Sequence, residues 1–225
     1  MSEEVVRTVP LFADLDEETF RVVRGHMVTT NVRRGEILFR ENEPGDRFWV
    51  ITAGKVKLGH TAPDGRESLL AVLGPGEIVG ELSVYDPGPR TATATVLAPS
   101  TFLELEHSQF VRLLDSHPAL AHQLLRSLAQ RLRKTNTALA DLVFSDVPGR
   151  VAKALLDLAQ RFGRPAGAGI RVAHDLTQEE LAQLVGASRE TVNKSLAEFS
   201  SRGWIQVDGR AVILLDIQRL ERRSR

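Results

Sequence analysis

Glycines at 35, 45, 54, 65, 74, 76, 80 and 88 fall between short apolar runs, and this punctuation constrains the fold more than any other feature of the chain. From about Val28 to Leu105 it separates "EILFREN", "RFWVITAG", "KVKLGHTAPDGRESLLAVLG" and "TATATVLAPSTFLELE", which read as short strands joined by turns. The "PDG" between "KVKLGHTA" and "RESLLAVL" is a hairpin turn of the kind Asp-Gly favours. The spacing therefore predicts an all-β unit, a sandwich or roll with two facing sheets. Its flanks differ. "LDEETFRVVRGHM" and "SQFVRLLDSH" carry apolar residues at helical spacing, with Asp16 and Ser108 placed as N-caps.

A long helical run follows, "HPALAHQLLRSLAQRLRKTNTALADLVFS". Leu125, Leu128, Leu132, Thr135, Leu139 and Leu142 alternate in steps of 3 and 4, which is a heptad seam. The other reading is an amphipathic helix packed on its own domain. Thr135 interrupts the leucines, so it either sets register or faces something polar. At "SDVPGR" the helix must break, because Asp146 can cap a new helix and Pro148 suits its first turn. A domain boundary is expected there. The next helix, "VAKALLDLAQRFG", stops near Gly163, and "GRPAGAGI" reads as a flexible loop.

The most specific local signal is "LTQEELAQLVGASRETVNKSLAEFSSRGWI". Thr177 and Glu180 have capping-box spacing, Leu181, Leu184 and Val185 face inward, and the chain turns at Gly186. Ser188 caps a second helix whose buried stripe is Val192, Leu196 and Phe199. Arg189, Glu190, Asn193 and Lys194 then point outward from its first turns, where a helix-turn-helix reaches base edges in the major groove. Arg can bond guanine O6 and N7 together, and Glu can accept from cytosine N4. An ordinary helical hairpin with a charged solvated face is the competing interpretation. "GWIQVDGRAVILLD" adds two strands about a second Asp-Gly turn, which reads as a wing.

Charge supports a division of labour. Residues 1–149 hold 16 Lys and Arg against 20 Asp and Glu, and residues 150–225 hold 13 against 9, so a net −4 faces a net +4 within a neutral chain. A basic small domain is what a phosphate backbone attracts. No apolar run approaches the roughly 20 residues of a membrane span, and the acidic start lacks a signal-peptide pattern, so cytoplasmic residence is expected. The chain has no cysteine, which excludes disulfides, thiolate zinc sites and cysteine-ligated iron–sulfur clusters. Its six histidines show no H-x-x-x-H pair. Neither a G-x-S-x-G elbow nor a Ser, His and Asp grouping stands out, so an enzyme is not expected.

The segment "GELSVYDPGPRTATA", residues 80–94, gathers a carboxylate, a guanidinium and a hydroxyl around a Pro-Gly-Pro turn. Alone, a Glu–Arg pair beside a turn is common and worth little. In context, "GELSVYDPGPRTA" and "SRETVNKSL" carry a resemblance, along nearly the whole chain, to the cyclic AMP receptor protein (CRP/FNR) family of bacterial transcription regulators. The family's parts come in its order. The resemblance implies an α+β fold: a cyclic-nucleotide-binding β-roll domain with flanking helices over 1–115, a dimerisation helix over 116–145, and a winged helix-turn-helix DNA-binding domain over 146–225.

It also implies roles. Gly80 lets backbone approach the ligand, and the N–H groups around Leu82 and Ser83 face its phosphate. Arg90 supplies the opposing charge and Thr91 a hydroxyl donor, while Glu81, which would repel the phosphate, serves the ribose 2′-hydroxyl. Thr135 and Asn136 match the polar pair that bonds adenine in its own and the partner subunit, with Asn136 where many relatives carry serine. Arg131 is placed to pair with Glu81. Thr177, Ser188, Arg189, Glu190, Asn193 and Lys194 are assigned to DNA, and Asp146 to the hinge.

The expected function is thus a cyclic-AMP-responsive homodimer that binds palindromic double-stranded operators with TGTGA-like half-sites and contacts RNA polymerase. No metal, haem or iron–sulfur cluster is expected. Cyclic GMP is the competing effector, because threonine after Arg90 resembles sites that admit it. The same fold could also answer to a different effector, or bind DNA with only weak dependence on ligand. A binding module attached to an enzyme or channel is disfavoured, since the second domain reads as a DNA binder.

Overall fold

The computed structural model describes residues 6, 7, 9, 12, 15–84, 86 and 88–224, with the side chains of Ser83, Val84 and Lys134 outside the description. The chain packs as two compact units, residues up to Gly65 with Leu70–Lys134, and Arg66–Leu69 with Thr135 onward. The expected α+β architecture is the one observed.

In the first unit, apart from Glu67–Leu69 and the residues beyond Lys134, which fall in the second, helix α1 (Glu17–Gly25) precedes strands β1 (Val28–Val32), β2 (Ile37–Phe39), β3 (Arg47–Thr61), β4 (Glu67–Leu73) and β5 (Ile78–Val79). A 3-10 helix (Glu81–Val84), strand β6 (Thr93–Glu106), helix α2 (His107–Ser116) and the long helix α3 (Pro118–Phe144) follow. The strands form one six-stranded network in the order β1-β6-β3-β4, with β2 on β6 and β5 on β3. It is not two separate sheets, because β3 and β6 pair from Arg47↔Glu106 to Gly59↔Thr93 and shift register between Ile51 and Val56. Such irregularities let one long pair bend into a roll.

The run "RFWVI" is apolar at every position after Arg47 because both faces of β3 are covered. Phe48 and Val50 join Leu103 and Leu105 of β6 against α1, α2 and the start of α3, which contribute Phe20, Val23, Phe110, Leu113, Leu114, Leu120 and Leu124. Trp49 and Ile51 face the other way, with Phe39, Val56, Val79, Val96 and Phe102. Asp16 caps α1 as expected, accepting from Thr19 N at 2.8 Å. Ser108 does not cap α2. That helix starts at His107, whose N–H is already taken by the Asp46 carbonyl at 2.8 Å, so the strand runs directly into the helix.

The second unit contains the end of α3, then α4 (Val147–Phe162), β7 (Gly163–Ala166), β8 (Gly169–Ala173), α5 (Gln178–Val185), α6 (Arg189–Ser201), β9 (Ile205–Asp208), β10 (Ala211–Leu214) and α7 (Ile217–Arg223). Its sheet runs β7-β8-β10-β9. The segment expected as a loop, "GRPAGAGI", is instead a hairpin with Gly163 opposite Val172 and Pro165 opposite Ile170. Proline fits there because β7 is an edge strand and leaves its missing N–H facing outward. Val151, Leu155, Leu181, Val185, Val192, Leu196, Phe199, Val212 and Leu220 are buried in this unit.

Gly54 sits within the irregular stretch of β3 at φ +92°, where a Cβ would lie 2.0 Å from Ser100 Oγ. Ser100 cannot turn away without loss, since its hydroxyl donates to Ala98 O at 2.7 Å and accepts from Lys55 N at 3.0 Å. Gly54→Ala should therefore destabilise the first unit by about 2 kcal/mol or more, combining left-handed strain with overpacking. Thermal melts of the two proteins check this. An unchanged midpoint would mean that the bend does not depend on the glycine.

Candidate functional site

The loop between β5 and β6 is built around Gly80 and Arg90. Gly80 has φ +87°, and a Cβ there would stand 2.7 Å from Arg90 Nη1. Its carbonyl accepts from that same nitrogen at 2.8 Å. Arg90 Nη2 donates to Arg47 O at 2.6 Å, and the guanidinium lies over the Phe39 ring, 4.3 Å from its centroid. Its backbone is fixed as well: Arg90 N–H donates to Glu43 O and its carbonyl accepts from Asn42 N, both at 2.8 Å. The result is a guanidinium in a residue only 5% exposed.

Glu81, 4% exposed, opens the 3-10 helix. One oxygen, Oε1, pairs with Arg131 Nη1, and Arg131 Nη2 donates to Ile78 O at 2.7 Å. The other, Oε2, is buried and accepts no hydrogen bond among the described residues. Burial pushes the Glu81 carboxyl up from its ordinary value, against the opposing pull of Arg131. Burial also pulls the Arg90 guanidinium down, countered by the charges of Asp46 and Glu81. A buried acceptor without a donor costs about 1–3 kcal/mol. The site thus fits a ligand carrying both a hydroxyl donor and an anion.

The structure brings Gly80, Glu81, Arg90 and Arg131 together. Leu82 is 49% exposed, and Thr91 is exposed beside Arg90. Ser83 belongs to the 3-10 helix by its backbone, whereas its side chain, together with Tyr85 and Pro87, lies outside the described residues. Thr135 and Asn136 are exposed on α3, about one turn beyond Arg131. In the seam, Leu125, Leu132, Leu139 and Leu142 are 51–62% exposed, so their own chain leaves at least half of each uncovered. Leu128 is partly covered by the first unit's core, where Leu120 and Leu124 are buried.

The helix-turn-helix forms from local bonds. Thr177 and Glu180 make both halves of the capping box, Gly186 closes α5 in the left-handed region, and Ser188 caps α6 by accepting from Thr191 N at 3.2 Å. Arg189, Glu190 and Lys194 are exposed on the first turns of α6, with Glu190 and Lys194 paired at 2.8 Å. Asn193 differs from expectation. It is half-buried and its Oδ1 is enclosed, because it borders the buried stripe of Val192, Ser195, Leu196 and Phe199.

Two connections were not read from sequence. Arg150 donates to three carbonyls, Ser145 at 2.6 Å, Val185 at 2.8 Å and Gly186 at 3.2 Å. Arg223 grips both oxygens of Asp146 at 2.9 and 2.5 Å, while Asp146 caps α4 by accepting from Gly149 N at 2.9 Å. The only hint of either was a basic residue near a helix end, a pattern shared by many surface arginines.

Known proteins share these parts. Residues 29–117 match the cyclic nucleotide-binding domain family, and residues 149–223 match the Crp-like helix-turn-helix domain family. The chain is 49% identical over 223 residues to a CRP-like cAMP-activated global transcriptional regulator of Mycobacterium tuberculosis, covering 99% of this chain and 100% of that one. It is 33% identical over 198 residues to the cyclic AMP receptor protein of Thermus thermophilus, covering 88% of each. Among solved structures, a CRP-family transcriptional regulator from Thermus thermophilus superposes with a TM-score of 0.75 at 30% identity, over 87% of this chain and 96% of that one. The c-di-GMP responsive global regulator CLP of Xanthomonas campestris shares the fold, with a TM-score of 0.77 at 24% identity over 88% and 99% of the two chains.

The Arg223 bonds, with help from the Gly149 N–H, hold the Asp146 carboxyl below the ordinary aspartate value. A lowered folded-state pKa contributes stability that is complete above the unfolded value of about 3.9 and is lost as pH falls through the folded one. Asp146→Ala should cost the second unit about 1 kcal/mol at neutral pH, as a lost cap. The gap from wild type should narrow below about pH 4. Urea melts across that range test this, and a gap independent of pH would refute it.

Proposed function

The chain belongs to the CRP/FNR family of bacterial transcription regulators, and from that premise we propose that it is a homodimer whose affinity for palindromic operators is set by cyclic AMP. The observation that carries the ligand reading is the buried Glu81 Oε2, which has no donor among the described residues and stands in a loop that also buries Arg90. A cyclic nucleotide carries a donor for Glu81 and an anion for Arg90. Its ribose 2′-hydroxyl donates to Glu81, and its phosphodiester takes Arg90, Thr91 and the backbone N–H groups of Leu82 and Ser83, with Gly80 permitting close approach. Thr135 and Asn136 bond the adenine from the two subunits, and Arg131 holds Glu81 in place.

In this reading residues 1–115 bind the nucleotide, 116–145 form the dimer helix through the exposed seam leucines, and 146–225 read DNA. Arg189 and Glu190 contact bases, Lys194 and the helix caps Thr177 and Ser188 contact phosphates, and Asn193 lies at the edge of the interface. Cyclic AMP acts through the hinge at Asp146, favouring the dimer geometry that matches half-site spacing over the one that does not. The dimer works in the cytoplasm, without a metal, haem or iron–sulfur cluster, contacts RNA polymerase, and catalyses no reaction. The described helices include none long and apolar enough to cross a membrane.

Isothermal titration of nucleotide-free protein with cyclic AMP and cyclic GMP tests the ligand. Arg90→Leu removes a charge-assisted contact and should weaken binding by roughly 10- to 100-fold. Glu81→Ala should weaken the ribonucleotide while leaving a 2′-deoxy analogue nearly unaffected. Unaltered titrations of both variants would end the cyclic-nucleotide reading.

Selection of binding sites from randomised duplexes, with and without cyclic AMP, tests the DNA half. The expected product is an inverted repeat of TGTGA-like half-sites, about one helical turn or roughly 34 Å apart. Arg189→Ala should cost about 1–3 kcal/mol and relax the preference at one G·C pair. A palindrome whose preferences survive that substitution would reassign the reading residues.

A further inference from the structure

Arg90 rests on a stack of aromatic rings, and that stack is held by a residue remote from the cassette in sequence. Its guanidinium carbon is 4.3 Å from the Phe39 centroid and 5.5 Å from that of Trp49, and the two rings are stacked 5.6 Å apart with planes 23° from parallel. The face of an aromatic ring attracts a cation within about 6 Å and so replaces part of the hydration that burial removes. For a planar guanidinium it also fixes the tilt.

The indole N–H of Trp49 donates to Glu104 Oε2 at 3.1 Å. Glu104 stands directly opposite Trp49 in the β3–β6 register. Its other oxygen accepts from Arg47 Nη1 at 2.7 Å, and the carbonyl of this same Arg47 accepts from Arg90 Nη2 at 2.6 Å. One carboxylate therefore holds the Trp49 ring that faces Arg90 and ties down the side chain of the residue whose carbonyl Arg90 bonds.

We propose that Glu104 is a positioning residue for the nucleotide-phosphate subsite, setting the plane of the Arg90 guanidinium through Trp49 and Arg47. This rests on the proposed function, in which Arg90 meets a phosphodiester. Glu104 touches no ligand in that reading. Its effect is to present the charge of Arg90 in one orientation, so that the guanidinium need not be ordered when the anion arrives.

The test uses full-length protein with Glu104→Leu, Glu104→Gln and Trp49→Phe, each checked by thermal melt. The first readout needs no ligand: the NMR signal of the Arg90 side-chain Nε–Hε, assigned by its disappearance in Arg90→Lys and displaced by the ring currents of Phe39 and Trp49. The second is titration with cyclic AMP. Glu104→Leu should move the signal toward the position of an exposed arginine and weaken cyclic AMP by about 10-fold. Glu104→Gln, which keeps an acceptor for the indole, should restore part of both, and Trp49→Phe, which keeps a ring but loses the donor, should fall between. A signal unmoved in Glu104→Leu overturns the proposal, as does a displaced signal with unchanged affinity. A wild type that binds no cyclic nucleotide sinks the function reading instead and takes the phosphate role with it, while the NMR arm still decides whether Glu104 orients Arg90.

Discussion

The antiparallel pairing of Arg47–Thr61 with Thr93–Glu106 supports everything in the first unit. Both strands are covered on both faces, so one alternation sends Phe48, Val50, Leu103 and Leu105 toward the helices and Trp49, Ile51 and Phe102 into the roll. The cassette is suspended from this pair. β5 hydrogen-bonds to β3 just before Gly80, and the chain enters β6 just after Arg90, so both ends of the loop are fixed by the same ladder. A short loop with anchored ends can hold two buried charges where a free one would let them escape to water.

Those two charges show what the packing has to offset. Glu81 and Arg90 are each almost fully buried, and desolvation is the largest influence on both. Neither is neutralised by forming a simple pair with the other. Glu81 is held from the side by Arg131 of α3, and Arg90 by two carbonyls and the face of Phe39. Each charge is thus met by its own partners rather than by the other.

What could be read from the sequence was whatever local chemistry decides. The strands between glycines, the capping box at Thr177, the cap at Ser188 and the exposed first turns of α6 depend on neighbours a few residues away. The Glu81–Arg131 pair was legible only through resemblance, since 50 residues separate its partners. Trp49 with Glu104 and Asp146 with Arg223 were not legible, being 55 and 77 residues apart and specified by register and packing alone. Elsewhere context overrules a local rule: Pro165 signals a loop but suits an edge strand, and Ser108 has cap chemistry beside a helix whose first N–H already meets a carbonyl. A stripe of Val192, Leu196 and Phe199 alone points Asn193 outward, but Ser195 widens the buried face to its border.

Arg150 gives the second unit a mechanical property. Its planar fork reaches the last carbonyl before Asp146 and two carbonyls at the turn of the helix-turn-helix. Nearby, Lys153 pairs with Asp141 at 2.5 Å, and Leu142 occupies the space where a side chain at Gly186 would project. A guanidinium is a planar, rigid fork, so the three carbonyls keep their bonds to it only in one mutual arrangement. Bending the chain at Asp146 therefore has to break these bonds or carry the end of the long helix and the turn ahead of α6 along together.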